Sequence, residues 1–493
     1  MKGFFTRANR GSYRPASAPP SMHADPTVHS PVGKPANPVD PSIFERIQSR
    51  IDHLARTYPA RLALVVFASI IAVVTALLSL PFATQSGERA PLADALFNAT
   101  SAVAVTGLAS VDTANYWSLF GQIVLAIGIS IGGLGVMTMA SILGLAVSRH
   151  IGLTQRMLAA TETKTAQLGQ VGSLLRMVII TALTADFALF VVLFPRFLTL
   201  DYELGEALWY AIFTAISIFN NAGFIVLPEG LGPHVSDAWM VTPIIFGTAV
   251  GALGFPVMMD LSRNWRTPRR LTLHSKLTLT TYISLGFVGA LLVGASEWSN
   301  PDTMGALAVK DRIIHSLLAG VNARSSGISV LDEGQMNQGT WFIQDILMFI
   351  GGGSASTAGG IKVTTIAVLT LAVLAEARGD RDIEAFGRRI PTPTVRLAVA
   401  VTMIGTTLVA ITTLFLLYTT SYSLDQVLFE SISAFGTCGL STGITGDLPD
   451  AGKYALSALM YLGRTGPMTI AAALALRERR RVIRMPEERP IIG

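Results

Sequence analysis

Long apolar stretches alternate with polar segments along most of the chain. An α-helix needs about 20 apolar residues to cross about 30 Å of hydrocarbon, and eight stretches after residue 60 reach that length. They form four pairs, and between the members of each pair lies an apolar segment of about nine to thirteen residues, which is too short to cross. The pattern predicts an all-α integral membrane protein with eight spans and four re-entrant helices around one central pore.

The same order of elements repeats four times along the sequence. Each repeat consists of a span, a short helix, a glycine turn and a second span, and an apolar residue directly follows each of the four glycines. Such self-similarity indicates a repeat architecture. The repeats are placed at residues 60–148, 172–262, 276–378 and 394–478, between a Pro-rich tail at 1–45 that is predicted to be disordered and a tail at 479–493.

The segments that follow the short helices carry the candidate ion-binding residues. They contain no carboxylate, so a cation must exchange its water for backbone carbonyls, and glycine tolerates the positive φ that turns carbonyls toward one axis. The preceding helices would also point their partially negative ends toward the pathway. Close helix packing is the other common use of small residues in membranes, but the shared register favours a selectivity filter. The candidate filter residues are Val105, Thr106, Gly107, Asn221, Ala222, Gly223, Ser325, Ser326, Gly327, Thr437, Cys438 and Gly439.

Composition and charge agree with a membrane protein. Hydrophobic residues make up 51% of the chain and charged residues only 14%, against about a quarter in an ordinary soluble domain. Basic residues cluster in the loops at 149–176, 263–276 and 378–389, which the positive-inside rule places in the cytoplasm together with both termini. No basic face is interleaved with aromatic residues, so the net charge of +5 does not indicate a nucleic-acid partner.

Residues that would support catalysis are missing from the pattern. The single cysteine, Cys438, excludes an intrachain disulfide and a cysteine-based metal cluster. Asp186 and Asp260 are isolated, and His274 and His315 are not at ligand spacing. The sequence therefore predicts a protein that is not an enzyme and has no covalently bound cofactor.

A run of small residues interrupts the second span of the third repeat. Irregular backbone at membrane depth is tolerated where it lines a cavity, so this run is predicted to plug the pathway below the filter. Packing against a neighbouring helix is the alternative, although that use needs only one or two glycines. The candidate gate residues are Gly351, Gly352, Gly353, Ser354, Ala355, Ser356, Thr357, Ala358, Gly359, Gly360 and Lys362, which closes the loop and can reach the cytoplasmic mouth.

Three charged residues lie within apolar segments, where an unpaired charge costs at least a few kcal/mol. Arg464 lies in the last span. It either forms a salt bridge between two spans or binds the gate loop and repels cations in the closed state, and the second role is favoured. Arg324, beside the third filter glycine, and Glu430, in the fourth short helix, are expected to pair and brace the filter.

Several stretches resemble a known family. They are TSAVAVTGLASVDT from Thr100, GGGSASTAGGIK from Gly351, FESISAFGTCGLSTGIT from Phe429, YLGRTGPMT from Tyr461 and the closing PEERPIIG. On these stretches, residues 60–493 resemble the Trk/Ktr/HKT superfamily of potassium transporters, and in particular a Ktr-type membrane subunit. The resemblance implies one filter glycine per repeat, a homodimer with one pore in each subunit, and a cytoplasmic regulatory ring that binds a nucleotide such as ATP or ADP.

The expected function follows from the pattern and the resemblance together. We expect uptake of K+ across the plasma membrane of a bacterium, with K+ bound by the filter carbonyls and flow controlled by the loop below. The alternative is Na+-coupled or Na+-permeable transport, since a single glycine per repeat defines a short filter.

Overall fold

The structure is a computed structural model that describes residues 59–151 and 166–475. The predicted tails at 1–45 and 479–493 lie outside the described residues. The α-helices are α1 Pro59–Leu78, α2 Leu92–Ala104, α3 Thr113–Tyr116, α4 Leu119–Ile151, α5 Ala166–Leu198, α6 Leu204–Asn220, α7 Ala238–Leu253, α8 Phe255–Asn264, α9 Leu273–Glu297, α10 Val309–Asn322, α11 Gln338–Phe349, α12 Val363–Arg378, α13 Thr392–Thr419, α14 Leu424–Gly436 and α15 Asp450–Ala475. Two antiparallel strands, β1 Ile383–Ala385 and β2 Arg388–Ile390, form a hairpin before α13.

The described part is mostly helical, as the apolar pattern predicts. Four of its helices, in α4, α5, α9 and α13, are long and apolar enough to cross a membrane, and the bent pair α7 and α8 would provide a fifth. The count of eight spans therefore stays a prediction. The small hairpin departs from the all-α expectation. It is held on the helices by Ile390, which is buried against apolar residues of α9, α12 and α13.

The second span of repeat 2 is not the continuous helix that its apolar pattern predicts. It breaks at Gly254, where φ is +91°, and α7 and α8 meet at 98°. Pro256 follows, and proline lacks the N–H that would continue the helical hydrogen bonds. A backbone at positive φ is open to glycine at little cost, so Gly254 allows the bend.

The short helices α2, α6, α10 and α14 lie between the longer helices, and their contacts form a closed circle. Each packs against the first long helix of its own repeat, and each also packs against a helix from the second half of the preceding repeat. Thus α6 contacts α4, α10 contacts α7, and α14 contacts α11. The order closes because α2 of repeat 1 contacts α15 of repeat 4, so the four short helices surround one axis.

Candidate functional site

Three of the four short helices end in the same turn. In repeat 1 the N–H of Thr106 donates to the carbonyl of Ser101 at 2.8 Å, and the Ser101 hydroxyl accepts from the N–H of Gly107 at 3.0 Å. In repeat 4 the N–H of Cys438 donates to the carbonyl of Ser433 at 2.9 Å, and the N–H of Gly439 donates to the Ser433 hydroxyl at 3.1 Å. The turn reverses the chain at the helix end. Its left-handed residues are Val105 at φ 55°, Asn221 at φ 58° and Thr437 at φ 46°.

The third segment reaches the same place by a different turn. The residue after α10, Ala323, stays in the right-handed helical region at φ −58°. The side chain of Asn322 then holds the returning chain, because its amide donates to the carbonyl of Ile328 at 2.9 Å and accepts from the N–H of Ile328 at 3.0 Å. A side-chain clamp thus replaces the left-handed turn of the other repeats.

The four filter glycines form a closed ring. All four have positive φ, and a Cβ atom added to any of them would collide with the carbonyl oxygen that precedes the glycine of another repeat. The distance from the added Cβ to the oxygen would be 2.6 Å both for Gly107 and for Gly223. The pairs run once around the axis: Gly107 meets Ala222, Gly223 meets Ser326, Gly327 meets Cys438, and Gly439 meets Thr106. Only glycine fits this ring.

The groups around the ring that can bind an ion are neutral oxygen atoms of backbone carbonyls and side-chain hydroxyls. The glycines are half-buried, whereas the residues directly before them are buried. Buried hydroxyl groups of four filter residues have no hydrogen-bond partner, namely Thr106, Ser325, Ser326 and Thr437. Carbonyl and hydroxyl oxygens suit a weakly hydrated cation as substrate. Among residues 59–151 and 166–475 no group of three His, Cys, Asp or Glu side chains is placed to hold a metal ion.

The loop between α11 and α12 lies directly against two opposite filter segments. It contains the predicted gate residues Gly351 to Gly360 and is closed at its base by a bond from the N–H of Gly351 to the carbonyl of Ile361 at 2.8 Å. The side chains of Thr357 and Asn221, in the second filter segment, are 2.7 Å apart. A Cβ on Gly359 would collide with the hydroxyl of Thr437 in the fourth. The loop therefore packs beneath the ring with no space for larger side chains.

The same loop is bonded to the broken helix of repeat 2. The N–H of Gly353 donates to the carbonyl of Ala252 at 2.7 Å, and the N–H of Phe255 donates to the carbonyl of Ala355 at 3.2 Å. A Cβ on Gly254 would lie 2.5 Å from the carbonyl oxygen of Ser354. The bend between α7 and α8 thus provides backbone partners for a loop that has no helix or sheet of its own.

Two basic side chains also bind the loop. The buried guanidinium of Arg464 donates to the carbonyl of Thr357 and, at 3.5 Å, to that of Gly132 in α4. None of the ion pairs in the described part involves Arg464, so the alternative role, a salt bridge between spans, is not formed among the described residues. The ammonium of the half-buried Lys362 donates to the carbonyl of Ala358 at 2.6 Å, so this side chain binds the loop itself.

The expected pairing of Arg324 with Glu430 is wrong. The Arg324 guanidinium donates to the carbonyl of Tyr282 at 2.6 Å and lies 3.7 Å from the centre of the Tyr282 ring. Glu430 instead accepts hydrogen bonds from the loop after Gly439, from Ser441, Thr442 and Thr445. Similar depth in adjacent repeats was not sufficient for contact, because each side chain finds its partners within its own repeat.

A buried carboxylate supports the segment after the third filter glycine. Glu333 accepts from the Ser329 hydroxyl and from the Gln344 amide, both at 2.8 Å. Burial raises the pKa of Glu333 to about 7, against the lowering effect of these hydrogen bonds. This acid therefore positions the filter loop rather than facing solvent.

Sequence reasoning missed several glycines that position the filter. Repeats 1, 2 and 4 each contain one glycine, in the second half of the repeat, that packs against the last turn of the short helix of the same repeat. A Cβ added to this glycine would collide with a carbonyl oxygen of that turn. The pairs are Gly132 with Val103, Gly251 with Phe219, and Gly463 with Phe435. Gly251, Gly463 and Gly254 were not foreseen. The Gly-Phe-Pro sequence at 254–256 was the signal for the bend.

Comparison with known proteins assigns the class. The TrkH family model, described as a cation transport protein, matches residues 60–480, and the chain belongs to this family. The fold is similar to that of the potassium transporter TrkH from Vibrio parahaemolyticus, with a TM-score of 0.65 at 17% identity over 84% of this chain and 83% of that one.

Curated relatives narrow the likeness to Ktr-type membrane subunits. The chain is 38% identical to Ktr system potassium uptake protein B of Bacillus subtilis (strain 168), over 89% of this chain and 97% of the relative. It is 35% identical to the protein of the same name from Vibrio alginolyticus, over 88% and 94%. It is 33% identical to the potassium/sodium uptake protein NtpJ of Enterococcus hirae, over 85% and 93%.

Proposed function

We propose that this chain takes up K+ through a single-subunit pathway that the ring of filter glycines surrounds. The observation that carries the proposal is the closed order of the ring, in which each glycine faces a backbone carbonyl of another repeat. The names of its relatives, potassium uptake proteins of the Ktr system, agree with K+ as substrate.

Selectivity for cations arises from the orientation of the backbone. Each short helix ends beside the filter, so its partially negative C-terminal end faces the pathway. Neutral carbonyl and hydroxyl oxygens replace part of the water around the ion. With one ring of glycines the filter is short, and it prefers K+ to Na+ without strict exclusion.

Gating is assigned to the loop at residues 351–360. In the closed state the loop occupies the space below the ring, and Arg464 both holds it through the Thr357 carbonyl and places a positive charge on the path of the cation. Displacement of the loop opens the pathway. The glycines and small side chains of the loop suit this movement, because they make few apolar contacts that would have to break.

Assembly and location complete the proposal. The subunit works as a homodimer in the bacterial plasma membrane, with both termini in the cytoplasm. A cytoplasmic ring that binds a nucleotide controls the gate loop from below. The positive-inside rule places the basic loops on the cytoplasmic side, which is the side of this regulatory ring and of both termini.

A second candidate is transport of K+ that requires or carries Na+. The likeness to a protein named for potassium and sodium uptake favours it. A short filter of neutral oxygens also accepts Na+ more readily than a long one. Uptake of Rb+ into proteoliposomes with and without external Na+ separates the two, since only coupled or Na+-dependent transport needs the second ion.

The proposal is tested by growth of a bacterium that lacks K+ uptake, on medium with little K+. The chain should restore growth, whereas Gly223→Asp, Gly327→Asp and Gly439→Asp should not. Each substitution places a side chain against a carbonyl oxygen of the ring and an anion at the filter. The matched control is Gly230→Asp, because Gly230 also has positive φ, at 64°, but has no atom within 4 Å of an added Cβ.

Comparable amounts of each variant must reach the membrane for the comparison to hold. Loss of growth with the three filter variants and normal growth with the control supports the ring as the ion pathway. Full growth with all three filter variants would refute it.

A further inference from the structure

A basic cavity lies at the end of the helices where the sequence places the cytoplasm. It has a volume of about 420 Å³ and opens between the segment before α9 and the β1–β2 hairpin. Four of its lining side chains are cationic and none is acidic; the cations are Arg269, Arg270, Lys276 and Arg388. The hairpin is held in place by its buried apolar residues, so the two walls of the cavity have fixed positions.

The cations of this cavity have no anionic partner in the described part of the chain. None of the ion pairs there includes them. The Lys276 ammonium donates to the Arg269 carbonyl at 3.0 Å. The nearby carboxylate of Asp260 is occupied by hydrogen bonds from Thr272 and Ser275. Four like charges around one cavity repel one another, so an anion is the natural occupant.

The surroundings of the cavity place it at the boundary between membrane and cytoplasm. The apolar helix α9 begins at Leu273, which lines the cavity, and α13 begins just after the hairpin. Two large aromatic side chains are exposed here, with 65% of Trp265 and 53% of Phe386 accessible. Exposed aromatic rings beside basic residues are typical of the headgroup region of a bilayer.

We propose that this cavity binds the phosphate headgroup of an anionic phospholipid from the cytoplasmic leaflet. Basic pockets between membrane helices on the cytoplasmic side are suited to such headgroups. The cavity lies in the range of ligand pockets and exceeds the space that one free phosphate ion requires. The lipid places its phosphate among the three arginines, and its glycerol and chains leave past Phe386 toward the membrane.

The test measures lipid binding and does not depend on transport. The full chain is purified in detergent and titrated with phosphatidylglycerol, and bound lipid is counted by native mass spectrometry against phosphatidylcholine with the same chains. We expect clear preference for phosphatidylglycerol. The variant Arg269→Gln/Arg270→Gln/Arg388→Gln should bind it about 100-fold more weakly, since each cation near an anionic lipid contributes about 1 kcal/mol, or about fivefold.

The matched control is Arg263→Gln/Arg378→Gln/Arg381→Gln. It removes the same charge from exposed arginines of the same side that do not line the cavity. It should bind phosphatidylglycerol within about twofold of the unmodified chain. Should the triple cavity variant not fold, Arg388→Gln alone should still weaken binding about fivefold.

Three results would overturn the proposal. An equal loss in the control variant would mean that diffuse surface charge, not the cavity, attracts the lipid. Displacement of the lipid by millimolar inorganic phosphate would make this a site for a small free anion. Tighter binding of poly-glutamate than of phosphatidylglycerol would assign the cavity to an acidic protein partner.

Discussion

The contact between Arg464 and the gate loop can be removed without touching the filter. Arg464→Gln deletes the guanidinium that donates to the Thr357 carbonyl, while leaving a polar side chain of smaller reach. We expect faster cation flux, because the closed position of the loop loses one of its bonds and the pathway loses a positive charge. Deletion of residues 354–359 should act in the same direction by shortening the loop itself.

The size of the effect follows from the type of bond. A hydrogen bond from a charged donor contributes about 1.5–3 kcal/mol. Since about 1.4 kcal/mol changes an equilibrium tenfold, the ratio of open to closed states should rise about 10-fold to 150-fold. The second bond of Arg464, at 3.5 Å to Gly132, is too long to add much.

The assay is uptake of radioactive Rb+ into proteoliposomes that contain equal amounts of protein. Arg396→Gln is the matched control, because Arg396 is an exposed arginine near the start of α13, away from the loop. Flux of the control should equal that of the unmodified chain. Unchanged flux in both Arg464→Gln and the loop deletion, with normal folding, would refute the gate.

Two further predictions address the supports of the loop and the filter. Gly254→Ala should lower thermal stability and raise Rb+ flux, because Ala in the backbone conformation of Gly254, φ +91° and ψ 145°, costs about 1–3 kcal/mol and its Cβ would lie 2.5 Å from the Ser354 carbonyl oxygen. The control is Gly379→Ala, because Gly379 has φ +71° but no atom within 4 Å of an added Cβ, so this variant should leave flux unchanged. Equal flux in both variants would contradict the inference that the contact between Gly254 and Ser354 holds the loop in place. Glu333→Gln should flatten the dependence of the unfolding temperature on pH. Since the folded pKa of Glu333 is about 7 and its ordinary value is 4.5, the stability it contributes is complete below about pH 4.5 and is lost as pH rises through about 7. Parallel curves for the two proteins from pH 5 to 8 would show that Glu333 does not titrate as inferred.

The sequence predicted a mostly helical protein, and the described residues are mostly helical. In repeat 4, which the sequence places at 394–478, the helices are α13 Thr392–Thr419, α14 Leu424–Gly436 and α15 Asp450–Ala475. Apolar stretches of this length leave few alternatives to a helix, since every backbone group in lipid needs a partner within its own segment. The four glycines that pack into the ring were also located from sequence, because one register repeated four times is a local pattern, and their role as a filter stays a prediction.

Contacts between repeats were less accessible to sequence reasoning. The pairing of Arg324 with Glu430 failed because charge and depth do not specify the direction of a side chain. The bend at Gly254 was missed because the apolar pattern continues through it, and the partner that requires the bend, the gate loop, lies about a hundred residues further on. The basic loop and the hairpin were each visible as charged segments, but not as two walls of one cavity.

The sequence by itself determined the class of protein, the four short helices, the glycine at each turn and the small-residue interruption between α11 and α12. These features follow from composition and spacing within short stretches of chain, where backbone preferences and hydrophobicity act locally. Only the tertiary structure decided that the glycines close into a ring and that Arg464 holds the loop beneath it. Those contacts join residues as far apart as Thr106 and Gly439, which lie in the first and last repeats, and the packing of whole helices brings them together.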